Sequence, residues 1–241
     1  MLEAAGVRPG ANVLDVGTGT GETAVRVAKQ VQPDGRVVAI DTSPQMLEQA
    51  RARALRSGVE NLQIRQMDGA RLQLSAGEFD AVIGRNSMQF LPGWPHPLTE
   101  FIRVLRPGGR LAFVVWGPRE ANRYFDLPVV VAQEKGLLRV PGDSVRLAYG
   151  LADAGRLRAD LTQAGFEQVS VEPVHGLLET SDSGPLLSYL RDGPAFRAIN
   201  GEYGQAEQRE YDESLISALE QFRGDRGYRV DALALLASGR R

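Results

Sequence analysis

Asn12-Val13-Leu14-Asp15-Val16-Gly17-Thr18-Gly19-Thr20-Gly21-Glu22 decides how the rest of the chain is read. A short apolar, β-branched run enters a glycine cluster, the pattern of a strand running into a tight turn. Ala24, Val27, Ala28 and Val31 follow at i, i+3, i+4 and i+7, one face of a helix. Glycines let the backbone bend sharply and let a ligand approach without interference from Cβ. The helix behind them offers unpaired N–H groups and the positive end of its dipole to an anionic group.

The same alternation continues on the C-terminal side. Residues 37–40, 61–67, 79–83 and 110–116 read as strands. Ser43-Pro44 starts a helix with a hydroxyl cap and a proline whose missing N–H costs nothing there, and Ser57-Gly58 ends it. Leu98, Phe101, Ile102 and Leu105 repeat the helical spacing, and Pro107-Gly108-Gly109 is expected to stop that helix. Strands alternating with helices imply parallel βαβ units with right-handed crossovers, hence an α/β, doubly wound open sheet.

Beyond residue 116 the pattern breaks. Residues 117–150 carry Pro118, Pro128 and Pro141 around a short apolar stretch and fit an irregular or helical insertion. Residues 153–164 read as a helix stopped by Gly165, and 168–174 as a strand. Residues 183–190 and 206–222 read as amphipathic helices, with Tyr211, Leu215, Ala218, Leu219 and Phe222 on one face of the second. Residues 230–237 read as the final strand.

Composition narrows the chemistry. The 241 residues are 43% hydrophobic and 24% charged, ordinary globular usage that excludes disorder. With no cysteine there is no disulfide framework, thiolate metal site or thiol nucleophile, and with two histidines no multi-histidine cage, so no metal is expected. Lys plus Arg is 28 against 30 acidic residues, a net charge of -2 that offers no long-range attraction to nucleic acid or anionic lipid. No apolar run is long enough to span a bilayer. Met1-Leu2-Glu3-Ala4-Ala5-Gly6 lacks a signal pattern, so a cytoplasmic location is expected.

Three readings of the glycine turn compete. A phosphate-cradling P-loop needs Lys-Ser/Thr after its last glycine, where Glu22-Thr23 stands instead. The dinucleotide fingerprint needs a third glycine where Glu22 stands, and a carboxylate there repels a pyrophosphate. The third reading is a G-x-G-x-G turn with an acid at the tip of the second strand. Asp41, about 20 residues beyond Gly21, supplies that acid for ribose hydroxyls. Capping of the helix at Ser43 is its structural alternative. Asp68, in Met67-Asp68-Gly69-Ala70, comes to the same edge after the third strand, either accepting from an exocyclic amine or capping a short helix.

This set resembles the class I S-adenosylmethionine-dependent methyltransferases, and within them the ubiquinone/menaquinone-biosynthesis type and its small-molecule relatives. Residues 13–22 resemble the first motif, Asp41 the ribose acid, and Met67-Asp68-Gly69-Ala70 the adenine segment. Phe79-Asp80-Ala81-Val82-Ile83 and Arg103-Val104-Leu105-Arg106-Pro107-Gly108-Gly109-Arg110-Leu111 resemble the fourth strand and the approach to the fifth. The resemblance implies a Rossmann-like seven-stranded sheet of order 3-2-1-4-5-7-6 with the last strand antiparallel. It implies one methyltransferase domain over residues 1–241, with insertions at 117–150 and 176–229 covering the substrate. It implies S-adenosyl-L-methionine as cofactor, held by Asp15, Gly17, Thr18, Gly19, Gly21, Asp41, Thr42, Met46, Asp68, Gly69, Ala70 and Arg85.

The segment after the fourth strand faces the reactive end in this family, which makes Asn86, Gln89 and Phe90 candidates for the acceptor pocket, beside Arg85 and Met88. No general base stands out; His96 and His175 are the two available. The Asn/Asp-Pro-Pro-Tyr/Phe motif of many nucleic-acid and protein amino-methylases is absent. With the charge balance, this favours a small-molecule methyl acceptor attacked at oxygen, carbon or nitrogen, with no nucleic-acid partner and no membrane insertion. About twelve residues precede Val13 where relatives carry a few dozen, so the chain is either truncated or relies on its insertions for cover. A non-catalytic S-adenosylmethionine-binding partner protein and a nicotinamide-dependent oxidoreductase are the alternatives.

Overall fold

Strand β1 (Asn12–Val16) pairs in parallel with β2 (Arg36–Asp41) on one side and with β4 (Phe79–Arg85) on the other. The computed structural model describes residues 1–136, 147–192 and 204–241. β2 pairs in parallel with β3 (Leu62–Gln66), and β4 with β5 (Leu105–Trp116). These parallel strands end at one edge, where Val16, Asp41, Gln66 and Arg85 stand at the tips.

Period-2 alternation sorts the strand residues onto two covered faces. One face gathers Val13, Val37, Ala39, Ala81, Ile83 and Ala112. Against it pack Ala24, Val27, Ala28 and Val31 of α1 (Glu22–Val31), together with Ala5, Val7 and Ala11 from the first residues. Each valine buried in this way contributes about 1.5–3 kcal/mol. Helix α2 (Pro44–Arg56) starts as expected, the Ser43 hydroxyl accepting from the Met46 N–H at 3.3 Å. α1 has no such side-chain cap, its N-cap being Gly21 in the left-handed region.

Pro107-Gly108-Gly109 does not end a helix. α3 (Pro97–Val104) stops earlier, and Leu105 already pairs with Phe79 in β5. The register then jumps, so that Ala81 faces Arg110 and residues 106–109 form a bulge. Pro107 has no N–H for a ladder, and Gly108 takes φ +79°, a conformation that favours glycine. The bulge is held by the ion pair of Arg106 with Asp80 and by backbone bonds from the Gly108 N–H to the Arg241 carbonyl and from the Arg241 N–H to the Gly109 carbonyl.

The sheet has order β3-β2-β1-β4-β5-β8-β6, with β6 at Glu167–Thr180 and β8 at Gly227–Arg240. β8 holds the place expected for the seventh strand. Its Arg241 end lies beside Gly108 at the start of β5, and its Leu233 beside Gly117 just past the end, so it runs antiparallel. The sheet has eight strands rather than seven, because β7 (Arg223–Gly224) folds back on β8 in a short hairpin, Gly224 facing Gly227. The expected final strand at 230–237 is therefore longer at both ends. β6 also outruns its expected end at 174.

The chain packs as two compact units, one of Met1–Val115, Asp153–Pro173 and Leu235–Arg241, the other of Trp116–Ala152 and Val174–Ala234. In the first, α5 (Ala154–Gln163) is capped by Asp153 and followed by Gly165 at φ +98°. The second contains α4 (Arg123–Glu134), α6 (Gly184–Asp192) and α7 (Gln205–Leu219), the last ending in a 3₁₀ turn over Glu220–Phe222. Tyr124, Tyr211, Leu186, Leu215 and Leu219 form its core. Pro128 lies within α4 with no N–H to give to the helix, and its carbonyl accepts from the Tyr211 hydroxyl at 2.7 Å. Asn122, fully buried, donates to the carbonyls of Pro118 at 3.0 Å and Leu233 at 2.9 Å and accepts from the Leu233 N–H at 3.0 Å. The expected insertion at 117–150 is thus helical over α4; its residues 137–146 lie outside the described residues.

Candidate functional site

The glycine turn closes the C-terminal tip of β1. The Thr18 N–H donates to the Ile40 carbonyl at 2.9 Å, so the bend hangs on the tip of β2. Gly17, Gly19 and Gly21 all have positive φ, but for different reasons. A Cβ on Gly17 would overlap Ser87, and one on Gly21 would come within 2.9 Å of the Ala50 Cβ. Packing thus demands glycine at 17 and 21. A Cβ on Gly19 would meet no protein atom within 4 Å, so the tip of the bend faces open space.

Asp41 fastens that tip. Its Oδ2 accepts from the Gly19 N–H at 2.8 Å and its Oδ1 from the Ser43 N–H at 2.9 Å. Underneath lies Asp15, 1% exposed, whose Oδ2 accepts from the Thr18 hydroxyl at 2.7 Å. Burial pushes the Asp15 carboxyl up to about 6; the Thr18 hydroxyl and the charge of Arg85 pull it down, and Asp41 adds to the rise. A buried carboxyl held close to neutrality is poised to pair with a cation.

Asp68 and its neighbours form a turn at the same edge. Asp68 Oδ1 accepts from the Ala70 N–H at 2.8 Å, and a Cβ on Gly69 would come within 2.7 Å of Val16 Cγ1. The glycine therefore lets the turn lie against the end of β1, with Ala70 buried. At the start of α2, Met46 is half-buried, while Thr42 is exposed and gives its carbonyl to the Gln66 amide at 3.2 Å.

After β4 the chain is bolted to the bend. The Ser87 hydroxyl donates to the Val16 carbonyl at 2.6 Å, and the Asn86 N–H, from a residue at φ +53°, donates to the Val114 carbonyl at 2.7 Å. Met88 is fully buried, Gln89 is 4% exposed and Phe90 47% exposed. Both polar atoms of the Gln89 amide, and Asn86 Oδ1, are buried without a hydrogen-bond partner. Arg85 reaches the Glu22 carboxylate at 2.8 Å, so the repulsion expected from Glu22 at the mouth of α1 is offset by a cation. Sequence reading missed Ser87 as the residue that positions this segment. Its signal was a small side chain opposite Gly17, visible only once β1 and β4 are paired.

His96 is exposed at the start of α3, near Glu100, and His175 is exposed in the part of β6 that belongs to the second unit. Among the described residues no group of three or more His, Cys, Asp or Glu could hold a metal ion, and no helix is long and apolar enough to cross a membrane.

Known proteins resemble this chain in sequence and fold. The methyltransferase-domain family matches residues 13–109, from β1 to the bulge of β5. The chain is 31% identical over 188 residues to a ubiquinone/menaquinone biosynthesis C-methyltransferase of Ectopseudomonas mendocina, covering 73% of this chain and 72% of that protein. It is 29% identical over 169 residues to the arsenite methyltransferase of Halobacterium salinarum, covering 70% of this chain but only 40% of that longer relative. The fold is shared with a methyltransferase-like protein of Bacillus halodurans at a TM-score of 0.65 and 22% identity, over 99% of this chain and 96% of that one. With a relative matched over most of both sequences and a fold shared almost end to end, the chain belongs to the class I S-adenosylmethionine-dependent methyltransferases.

Proposed function

We propose that the protein transfers a methyl group from S-adenosylmethionine to a small organic acceptor. One observation carries this reading: the open space above Gly19, with the Asp41 carboxylate bonded to the Gly19 amide at 2.8 Å. No protein atom lies within 4 Å of where a Cβ would stand there, which suits a ligand laid across the bend.

In this reading Asp41 receives the ribose hydroxyls. Each carboxylate oxygen already accepts one backbone N–H and keeps further lone-pair capacity. Asp15 faces the ammonium of the amino-acid portion, which favours its ionised form. The N-terminus of α1, uncapped by a side chain, receives the carboxylate. Asp68 receives the exocyclic amine of adenine, between Met46 and Ala70. When bound, S-adenosylmethionine would supply a methyl group on a sulfonium, which the acceptor's electron pair would take as the S–C pair returned to sulfur, with any acceptor proton passing to solvent only after transfer. The protein's part is to hold the reacting atoms in line and exclude water.

The net charge of -2 supports a small molecule over nucleic acid as acceptor. Titration calorimetry with S-adenosylmethionine, S-adenosylhomocysteine and NAD tests the cofactor. Binding of the first two and not the third is expected; binding of NAD alone would overturn the reading. Labelled methyl transfer to phenols, quinols and amines then tests turnover.

A further inference from the structure

β6 is the last strand in the order of the sheet, and among the described residues no strand lies beyond it. An outer strand leaves a row of backbone N–H and C=O groups open, and proteins guard such rows with charged side chains, proline or a covering element. The first half of β6 is guarded in this way. Arg158 donates to the Val169 and Val171 carbonyls at 2.9 and 3.4 Å, and Pro173 has no N–H to offer. From Val174 to Thr180 there is neither lysine, arginine nor proline. Within the second unit Gly176 stands beside Ala232 and Glu179 beside Arg229, so this half runs antiparallel to β8. Val174, Gly176 and Leu178 therefore share the face on which Tyr228 and Val230 enter the core, while His175, Leu177 and Glu179 lie on the other. Yet Val174 is 42% exposed, Leu177 50% and Leu178 38%.

We infer that residues 174–180 form a homodimer interface, this strand pairing antiparallel with the same strand of a second copy about a two-fold axis at Leu177. The inference stands independently of the methyl-transfer reading. Charge and size select both the occupant and the axis. Pairing about Leu177 sets each His175 opposite Glu179 of the other copy and each Leu178 opposite Gly176, and it leaves Pro173 just outside the ladder. Each Glu179 then lies between Arg229 of its own chain, 3.7 Å away, and an imidazole of the second copy. An axis between His175 and Gly176 would bring Glu172 against Glu179 at both ends, which is repulsive. An axis at Gly176 would set Glu179 against Pro173, with no charge matched and no N–H to bond. The edge is thus complementary to itself in one register, which is what a closed two-fold contact requires.

Sedimentation of the full chain tests this. Wild type is expected to be a dimer at micromolar concentration. Leu177→Lys, which meets its own copy on the axis, should raise the dimer dissociation constant about a hundredfold. His175→Glu opposes like charges at both ends and should raise it about tenfold, and adding Glu179→His should recover most of that loss. Because the chain has no cysteine, single cysteines read the register directly. With a mild oxidant Leu177→Cys should form a covalent dimer, its thiols lying within disulfide reach across the axis. Leu178→Cys, opposite glycine, should stay largely uncross-linked. These two variants decide the question even where lysine at 177 harms folding, which melting curves would show. A monomeric wild type, whose edge then serves a different protein, overturns the inference. So does a folded Leu177→Lys variant that dimerises like wild type, or cross-linking at 178 in preference to 177.

Discussion

The Asp41 carboxylate and the Gly19 amide lie 2.8 Å apart, and this bond fixes the tip of the first strand's turn to the tip of the second. Asp41 thus shapes the bend as well as offering oxygens to a ligand. Asp41→Ala should weaken S-adenosylhomocysteine binding by about 1.5–3 kcal/mol, the scale of a charge-assisted hydrogen bond. Asp41→Asn, which keeps one accepting oxygen, should lose less. Calorimetry showing undiminished affinity in the alanine variant would remove the ribose assignment.

The buried Asp15 should make the empty protein less stable as pH rises. Its folded-state pKa of about 6 lies above the ordinary 3.8, so between these values the native state holds more protons than the unfolded chain. Stability is lost as pH climbs through that window, to a total of about 3 kcal/mol above it. Asp15→Asn should therefore match wild type near the acid end and exceed it at neutral pH, while binding S-adenosylhomocysteine more weakly. Urea melts across the window decide this; a variant less stable than wild type at neutral pH would contradict it.

Two glycines of the bend should fail in opposite ways. Gly17→Ala drives a methyl into Ser87 and should destabilise the fold by about 1–3 kcal/mol. The Ser87→Gly change should relieve part of that cost when the two are combined. Gly19→Ala puts its Cβ where no protein atom lies within 4 Å and should fold with only the backbone cost of its positive φ, about 1–2 kcal/mol, yet lose cofactor binding. Equal binding by Gly19→Ala and wild type would show that the bend faces nothing.

In the second unit the buried Asn122 joins the start of α4 to Leu233 through bonds in both directions. Asn122→Ala leaves several backbone groups without a partner and should cost about 2–4 kcal/mol. Hydrogen exchange should report the loss first at the Leu233 amide. Continued protection there would mean that the clip is redundant.

The first half of the fold was legible because period and punctuation agree: alternating strands, helical spacing at Ala24, Val27, Ala28 and Val31, and the Ser43-Pro44 start to α2. Asp15, Gly19 and Asp41 could be singled out because a strand tip beside a glycine turn has few neighbours. The misreadings share one cause. Pro107-Gly108-Gly109 reads locally as a stop, but Asp80 and Arg241, far away in the chain, hold it as a bulge. The β7–β8 hairpin was missed for want of an Asn-Gly or Asp-Gly pair; its turn runs through Asp225-Arg226. Ser87 could not be singled out, because its bond to the Val16 carbonyl joins two strands far apart in the chain, which no local pattern encodes.

The near-collision of Gly21 with Ala50 has an evolutionary corollary. With 2.9 Å between an imagined Cβ and the alanine methyl, neither position has slack, and enlarging one requires shrinking the other. The two sites are free to drift only as a couple. The distance between the start of the first helix and the middle of the second is therefore set by two small residues, and a larger side chain at either position would force the helices apart.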